Sequence, residues 1–350
     1  MNLKSRLIIR IFKPYFNSFT LVKVAIVFGY LSVFQHHPII CFCSFFQGSF
    51  LKAMDIKTFI DHWNLINFRS GDHYKSSTLL LHHIIQFVAI AGEYLMLKKT
   101  GDSKVPLKWL PERNLLLGRW IDAKISPLRV ALKLPELQLR IYKPLFKMID
   151  HFYIPDHSKA EIYEWLKHTL YLNGVDIRSM HMEMPYELPH HSTDDGQPFQ
   201  KPHKEELWEL CALRSNAQRV IKYFSESFHE PCSIGICPEY FHSECHISLH
   251  KNAIDKVSPC VKLGLAVPNR HIDYHYFYVI HWPSKDTIEY YLNLKKLDGG
   301  GHWADVHRLQ AILPLYEIYR DHTPEAQAKR VIAFFDSALK HSFEMLKANR

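Results

Sequence analysis

The chain reads as an α+β protein in which antiparallel sheet packs against long helices, and three observations carry that expectation. The segment from Ser76 to Lys99 is apolar around most of a helical circumference, as a central helix would be. Two regions, roughly 107–154 and 232–282, alternate apolar and polar residues at period two. Many of these strands adjoin one another in sequence, and the chain runs helix, strands, helix twice over, giving two helix-strand-helix halves.

Taken in order, the first helix buries Leu79, Leu80, Ile84, Ile85, Phe87, Val88 and Ala91. It leaves a narrow polar stripe of His82, Gln86 and Glu93 at helical spacing. Such a stripe is either satisfied inside the fold or lines a cleft. Arg129–Leu134 and Glu136–Tyr142 alternate as strands, punctuated by Pro127, Pro135, Pro144 and Pro155. Ser158 is placed to cap a helix reaching Asn173, with Gly174 just past its end. Val175–Met184 reads as a strand with Met180, Met182 and Met184 on one face, which suits core filling better than a ligand box. The polar, proline-bearing stretch 185–203 reads as a connector or as a loop over a cleft, dividing a half at 54–184 from one at 204–350, unless 54–350 is one domain. Glu205–Phe228 follows as a helix. Strands are then expected at Cys232–Cys237, Phe241–His250, Cys260–Val267 and Tyr274–Trp282. Thr323-Pro324-Glu325 starts the closing helix with a cap residue, a proline in the first turn and an acid near the positive dipole end.

The net charge of +8 is unevenly spread. Residues 1–53 carry six of the 43 Lys and Arg and none of the 35 acids, leaving 37 basic against 35 acidic residues in the body. This near-neutral balance argues against a nucleic-acid footprint. The head itself has a basic start, a short apolar run at Val24–Phe34 and a break at Gln35-His-His-Pro38. A signal anchor, a cleaved targeting peptide and an upstream extension not made in the cell compete here, and the last is preferred because Met54 opens ordinary soluble sequence. No membrane segment is expected in 54–350. Seven cysteines with no CxxC pair read as reduced, cytosolic thiols, hence a cytoplasmic protein.

Several short strings occur in an order that resembles an uncharacterised bacterial family, a domain of unknown function. They are His82-His-Ile-Ile-Gln86, Asn114-Leu115, Pro185-Tyr-Glu-Leu-Pro189 with His191, Gly196-Gln-Pro-Phe199, Pro238-Glu-Tyr-Phe241, Tyr276-Phe-Tyr-Val279 with Trp282-Pro283, Gly300-Gly-His-Trp303, and Gln327–Leu339. The resemblance covers roughly residues 76–345. It implies a soluble cytoplasmic bacterial protein and no assigned activity. Where similar proteins tend to read Pro-His-His-Phe-Asp, this chain has Pro238-Glu-Tyr-Phe-His242. The acids expected near Pro268 and before Tyr276 are replaced by Arg270 and His275.

Two histidine-rich triplets suggest chemistry. His242, Glu244 and His246 would share one strand face, as would His271, Asp273 and His275. The first triplet offers imidazole and carboxylate ligands suited to a divalent metal, Zn or Fe, in a hydrolase whose bound water is activated by the ion. A solvated strand face predicts the same letters in a chain with 24 histidines.

A small-ligand or catalytic cleft between the halves is the leading expectation. It would be roofed by the 185–203 connector and the Gly299-Gly-Gly-His302-Trp303 loop. His82, Gln86, Tyr186, Glu187, His191, His302 and Trp303 would supply its contacts. A structural or partner-binding module is the third reading, carried by the aromatic strand Tyr274–Tyr278, although such a strand suits burial on both faces. There is no P-loop, no G-x-S-x-G, no HExxH and no dinucleotide fingerprint, and nothing singles out Cys237 as a reactive thiol.

Overall fold

Six α-helices and two antiparallel sheets, one of five strands and one of six, make up the described chain. The structure, a computed structural model, describes residues 56–67, 71–95, 107–226, 232–248, 259–282, 294–305 and 308–348. The readings of the head at 1–53 lie outside them. Residues 53–350 form one compact unit by their contacts.

A short helix α1 (Ile56–Asp61) precedes the long α2 (Gly71–Tyr94). The first sheet is a meander of β1 (Lys108–Leu110), β2 (Leu115–Ile121), β3 (Leu128–Lys133), β4 (Gln138–Lys143) and β5 (Lys147–Tyr153), each beside the next. One face of this sheet meets α2. Ile84, Ile85 and Val88 of α2 are fully buried with Val130, Leu132, Leu139 and Ile141 in one core. Gly118 permits the close approach, since a Cβ there would sit 2.9 Å from the Val130 carbonyl oxygen and 3.0 Å from Val88.

Helix α3 (Lys159–Leu172) begins on a capping box in which the Ser158 hydroxyl and the Glu161 carboxylate satisfy each other's backbone N–H groups. It ends before Gly174, whose φ of 84° only glycine adopts without strain. The expected strand at Val175–Met184 does not form. That stretch is irregular, and the connector that follows contains a single helical turn at Ser192–Asp195.

Helix α4 (Lys204–Ser225) leads into the second sheet, formed by β6 (Gly235–Ile236), β7 (Ser243–Ser248), β8 (Cys260–Ala266), β9 (Tyr276–Trp282), β10 (His302–Asp305) and β11 (Leu309–Pro314). Its spatial order is β10-β11-β9-β8-β7-β6. The last hairpin, β10 with β11, was not expected from the sequence. A one-turn helix α5 (Leu315–Ile318) and α6 (Pro324–Ala348) close the chain. Phe334 and Phe335 of α6 are buried with Phe277 of β9 and Phe224 of α4. The strand Tyr276–Val279 is buried on both faces, as its aromatic alternation suggested.

The thiols are not all free, because Cys232 and Cys245 form a disulfide with Cα atoms 6.0 Å apart, while Cys211, Cys237 and Cys260 stay unpaired. The two cysteines lie across the β6–β7 hairpin, a closeness that spacing along the chain does not reveal. The triplet His271, Asp273 and His275 is not on a strand. β9 begins at Tyr276, and His271 and Asp273 are exposed in a loop that Asn269 caps through its side-chain carbonyl. His275 turns inward instead, where its Nε2 lies 3.1 Å from the Thr78 hydroxyl on α2.

Candidate functional site

The polar residues of α2 divide between two surroundings, because successive side chains on a helix point in different directions. His82 faces the hairpin of β6 and β7. Its Nε2 donates to the Pro238 carbonyl at 3.0 Å, and its ring stacks on Phe241. Gln86, one turn on, donates to the same carbonyl at 3.1 Å and to the His82 carbonyl at 2.8 Å. Its own Oε1 accepts from the Tyr186 hydroxyl at 2.8 Å. A buried amide is thereby used at both ends, and the ring of Tyr186 is fixed against the helix. Burial, with the negative groups around it, raises the Tyr186 phenol, so it stays protonated and donates.

His83 points the other way. Its Nε2 lies 2.9 Å from the Pro189 carbonyl, which can only accept, so the proton is on Nε2. Nδ1 is then the acceptor, and Lys159 Nζ donates to it at 2.8 Å. Lys159 also pairs with Asp194, whose second oxygen takes the His191 backbone N–H at 2.9 Å. Burial pulls the His83 imidazole down to about 4, with the Lys159 charge adding to the effect, so the ring is neutral at physiological pH. Lysine, imidazole and carboxylate thus form a row that ties α3, α2 and the connector together.

Between these groups lies a cleft of about 320 Å³. Phe87 and Ile90 of α2, with Met182, Met184 and Leu188, give it an apolar floor and wall. His83, Gln86, Lys159, Tyr186, Glu187 and Asp194 supply its polar lining. Met182 and Met184 therefore serve the cleft, and only Met180 is fully in the core.

Of the residues expected here, Gln86, Tyr186 and Glu187 line the cleft. His82 sits behind it, holding Pro238. His191 stands beside it, its ring 5.2 Å from that of His83, and its Nδ1 accepts from the Thr193 backbone N–H. His302 and Trp303 are elsewhere. They belong to β10, at the opposite edge of the second sheet from β6, and Trp303 donates to the Lys295 carbonyl at 2.8 Å. The triple-glycine bend packs on α6, where a Cβ at Gly301 would lie 2.4 Å from Phe334. It is no roof for this cleft. Nor does the cleft lie between the two halves: every lining residue precedes residue 195, so the connector closes over the first half alone. His83, Lys159 and Asp194 were missed. His83 had a signal, since it shares a helical face with Phe87 and Ile90.

His242, Glu244 and His246 do project from one side of the β7 segment, but the carboxylate is already engaged. Glu244 accepts from Lys262 at 3.1 Å, from the Tyr278 hydroxyl at 3.0 Å and from His246 at 3.2 Å. Burial opposes its ionisation, yet the His246 bond and the Lys262 charge hold it down to about 2. His242 packs its ring against Tyr240 and Tyr278 instead of facing a shared centre. Among the described residues no three His, Cys, Asp or Glu side chains gather so as to hold a metal ion. The triplet is an ion-paired sheet face, and the metal-ligand expectation is corrected accordingly.

No protein-family model, no curated protein and no solved structure matches this chain. Among the described residues no helix is long and apolar enough to cross a membrane.

Proposed function

We propose that the protein binds a small amphiphilic molecule in the cleft formed by α2, Lys159 and residues 182–194. The observation that carries this reading is the pairing of an apolar floor (Phe87, Ile90, Met182, Met184, Leu188) with a few fixed polar groups at its margin. Lys159 has three N–H donors, of which His83 and Asp194 use two. The Tyr186 oxygen, having given its proton to Gln86, still accepts. A ligand with an apolar body and an anionic or hydrogen-bonding end suits this set.

Binding is favoured over catalysis because His83, Lys159 and Asp194 are engaged with one another. A metal-dependent hydrolase has no support in the Glu244 cluster. The resemblance to a bacterial family is part of this reading and adds no activity to it. A cytoplasmic setting belongs to it too.

Native mass spectrometry of gently purified protein tests the proposal. A non-covalent adduct is expected on the wild-type chain and is expected to vanish in Ile90→Trp, which fills the floor. An adduct that persists in that variant would place the ligand elsewhere.

A further inference from the structure

The face of the first sheet that turns away from α2 carries a separate pattern. Strand register places Lys108 and Leu110 of β1, Leu115, Leu117 and Trp120 of β2, and Arg129, Ala131 and Lys133 of β3 on it. It continues through Gln138, Arg140 and Tyr142 of β4 to Met148, His151 and Tyr153 of β5. Lys108, Arg129, Lys133 and Arg140 are cations, and no Asp or Glu occupies any of these positions. Glu136 in the β3–β4 turn lies 3.8 Å from Lys133 at the edge of the face.

The near-neutral charge of the whole body conceals this segregation, because charge matters by face and not by sum. Arg129 lies over the Trp120 ring, 4.1 Å from its centroid, and its Nε is buried with no hydrogen-bond partner. A guanidinium held flat on an aromatic ring keeps its charge at a fixed place, and its terminal nitrogens, not the buried Nε, would meet an anionic oxygen. Arg140 sits opposite Ala131, diagonal to both Arg129 and Lys133. That sets the three cations on a zigzag with steps of about 7–8 Å, comparable to one nucleotide step of an extended strand. Trp120 and Tyr153 keep 39% and 40% of their surface exposed, enough ring for a base to stack on.

We propose that this open sheet face binds single-stranded nucleic acid, with the sugar-phosphate backbone over Arg129, Arg140, Lys133 and Lys108 and bases against Trp120 and Tyr153. A five-stranded sheet is too broad for either groove of a duplex, whereas an open sheet with aromatic rings is a known platform for unpaired bases. A lipid surface is the weaker fit. Leu115, Leu117 and Ala131 are buried, and of the aliphatic side chains placed on the face only Met148 is well exposed, too little for membrane insertion.

Fluorescence anisotropy with labelled oligo(dT), using the full chain at low salt and along a salt series, tests this. Saturable binding is expected, weaker for a duplex of matched length. Its logarithmic salt slope should be about −2 to −3, from about −0.7 per phosphate neutralised. Arg129→Gln with Arg140→Gln should weaken binding at least tenfold and flatten the slope by about 1.4, while Tyr153→Ala should cost about tenfold with the slope unchanged. Should the double variant melt early, Lys108→Gln with Lys133→Gln gives the same test. Absence of binding by the wild-type chain, or equal binding by every variant, overturns the proposal. So does capture by phosphatidylserine vesicles while the oligonucleotide stays free, which would assign the face to a lipid surface.

Discussion

Lys159 donates to Nδ1 of His83 at 2.8 Å, and the bond on the far side of the ring, from Nε2 to the Pro189 carbonyl, dictates that arrangement. A neutral imidazole thus reads out the position of a lysine on another helix. Replacing Lys159 with Met removes a positive charge that lowers the His83 pKa, while Asp194, which raises it, stays in place. The His83 imidazole should then titrate above its present value of about 4, as followed by NMR. An unchanged titration would mean that the two side chains do not meet.

Acid should unfold the protein earlier than its carboxylates alone would require. Burial lowers His82 and His83 to about 4 and His275 to about 3, from an ordinary value of 6.5. Between those values the unfolded chain holds protons that the folded chain refuses. Stability is therefore full above pH 6.5 and falls as the pH drops toward 4. Each imidazole contributes a slope of about 1.4 kcal/mol per pH unit in that window. Urea titrations across the window check this, and a flat profile from pH 7 to about 4.5 would contradict it.

Gln327 is fully buried on α6, and its amide meets four partners. Its carbonyl accepts from Trp63 Nε1 at 3.3 Å and Ile66 N at 3.0 Å, and its nitrogen donates to the carbonyls of Ile66 at 2.8 Å and Asp321 at 3.0 Å. Gln327→Leu should cost about 2–3 kcal/mol in chemical denaturation, because the groups it leaves behind stay buried without partners. A loss near zero would show that this clamp is dispensable.

Gly299 and Gly196 both sit at positive φ, 66° and 80°, but only Gly299 is crowded. A Cβ there would lie 2.3 Å from the Arg330 carbonyl oxygen, whereas Gly196 has nothing within 4 Å. Gly299→Ala should destabilise by about 1–3 kcal/mol more than Gly196→Ala. Equal effects would show that the contact between Gly299 and Arg330 does not constrain the bend.

Cys232 and Cys245 should appear as one linked peptide when the oxidised protein is digested without reductant, with Cys211, Cys237 and Cys260 alkylated. Alkylation of Cys232 and Cys245 along with those three would contradict the bond.

Local signals made much of the fold legible, and long-range pairings hid most of the site. The Ser158–Glu161 box, Gly174 and the Arg129–Tyr142 alternation fix their elements through neighbours a few residues away. Helix α2 and its Gln86 stripe were readable for the same reason. The alternation of Met180, His181, Met182, Glu183 and Met184 suggested a strand, but no neighbouring strand pairs with it, and two methionines turn to the cleft instead. Lys159 meets Asp194 across 35 residues, and which of His82 and His83 faces that pair depends on how α2 is rotated against α3. Helical periodicity cannot supply that rotation. Alternating histidines at 242–246 imply a shared centre, yet Lys262 from the adjoining strand and Tyr278 from the strand beyond it claim the carboxylate between them.

Fluorescence titration with anilinonaphthalene sulfonate, an apolar ring system bearing one anionic group, tests the cleft most directly. One saturable site is predicted on the folded chain, abolished by Ile90→Trp and weakened about tenfold by Lys159→Met, the loss of one charge-assisted hydrogen bond. Binding that is indifferent to both substitutions would contradict the assignment of this cleft as a ligand site.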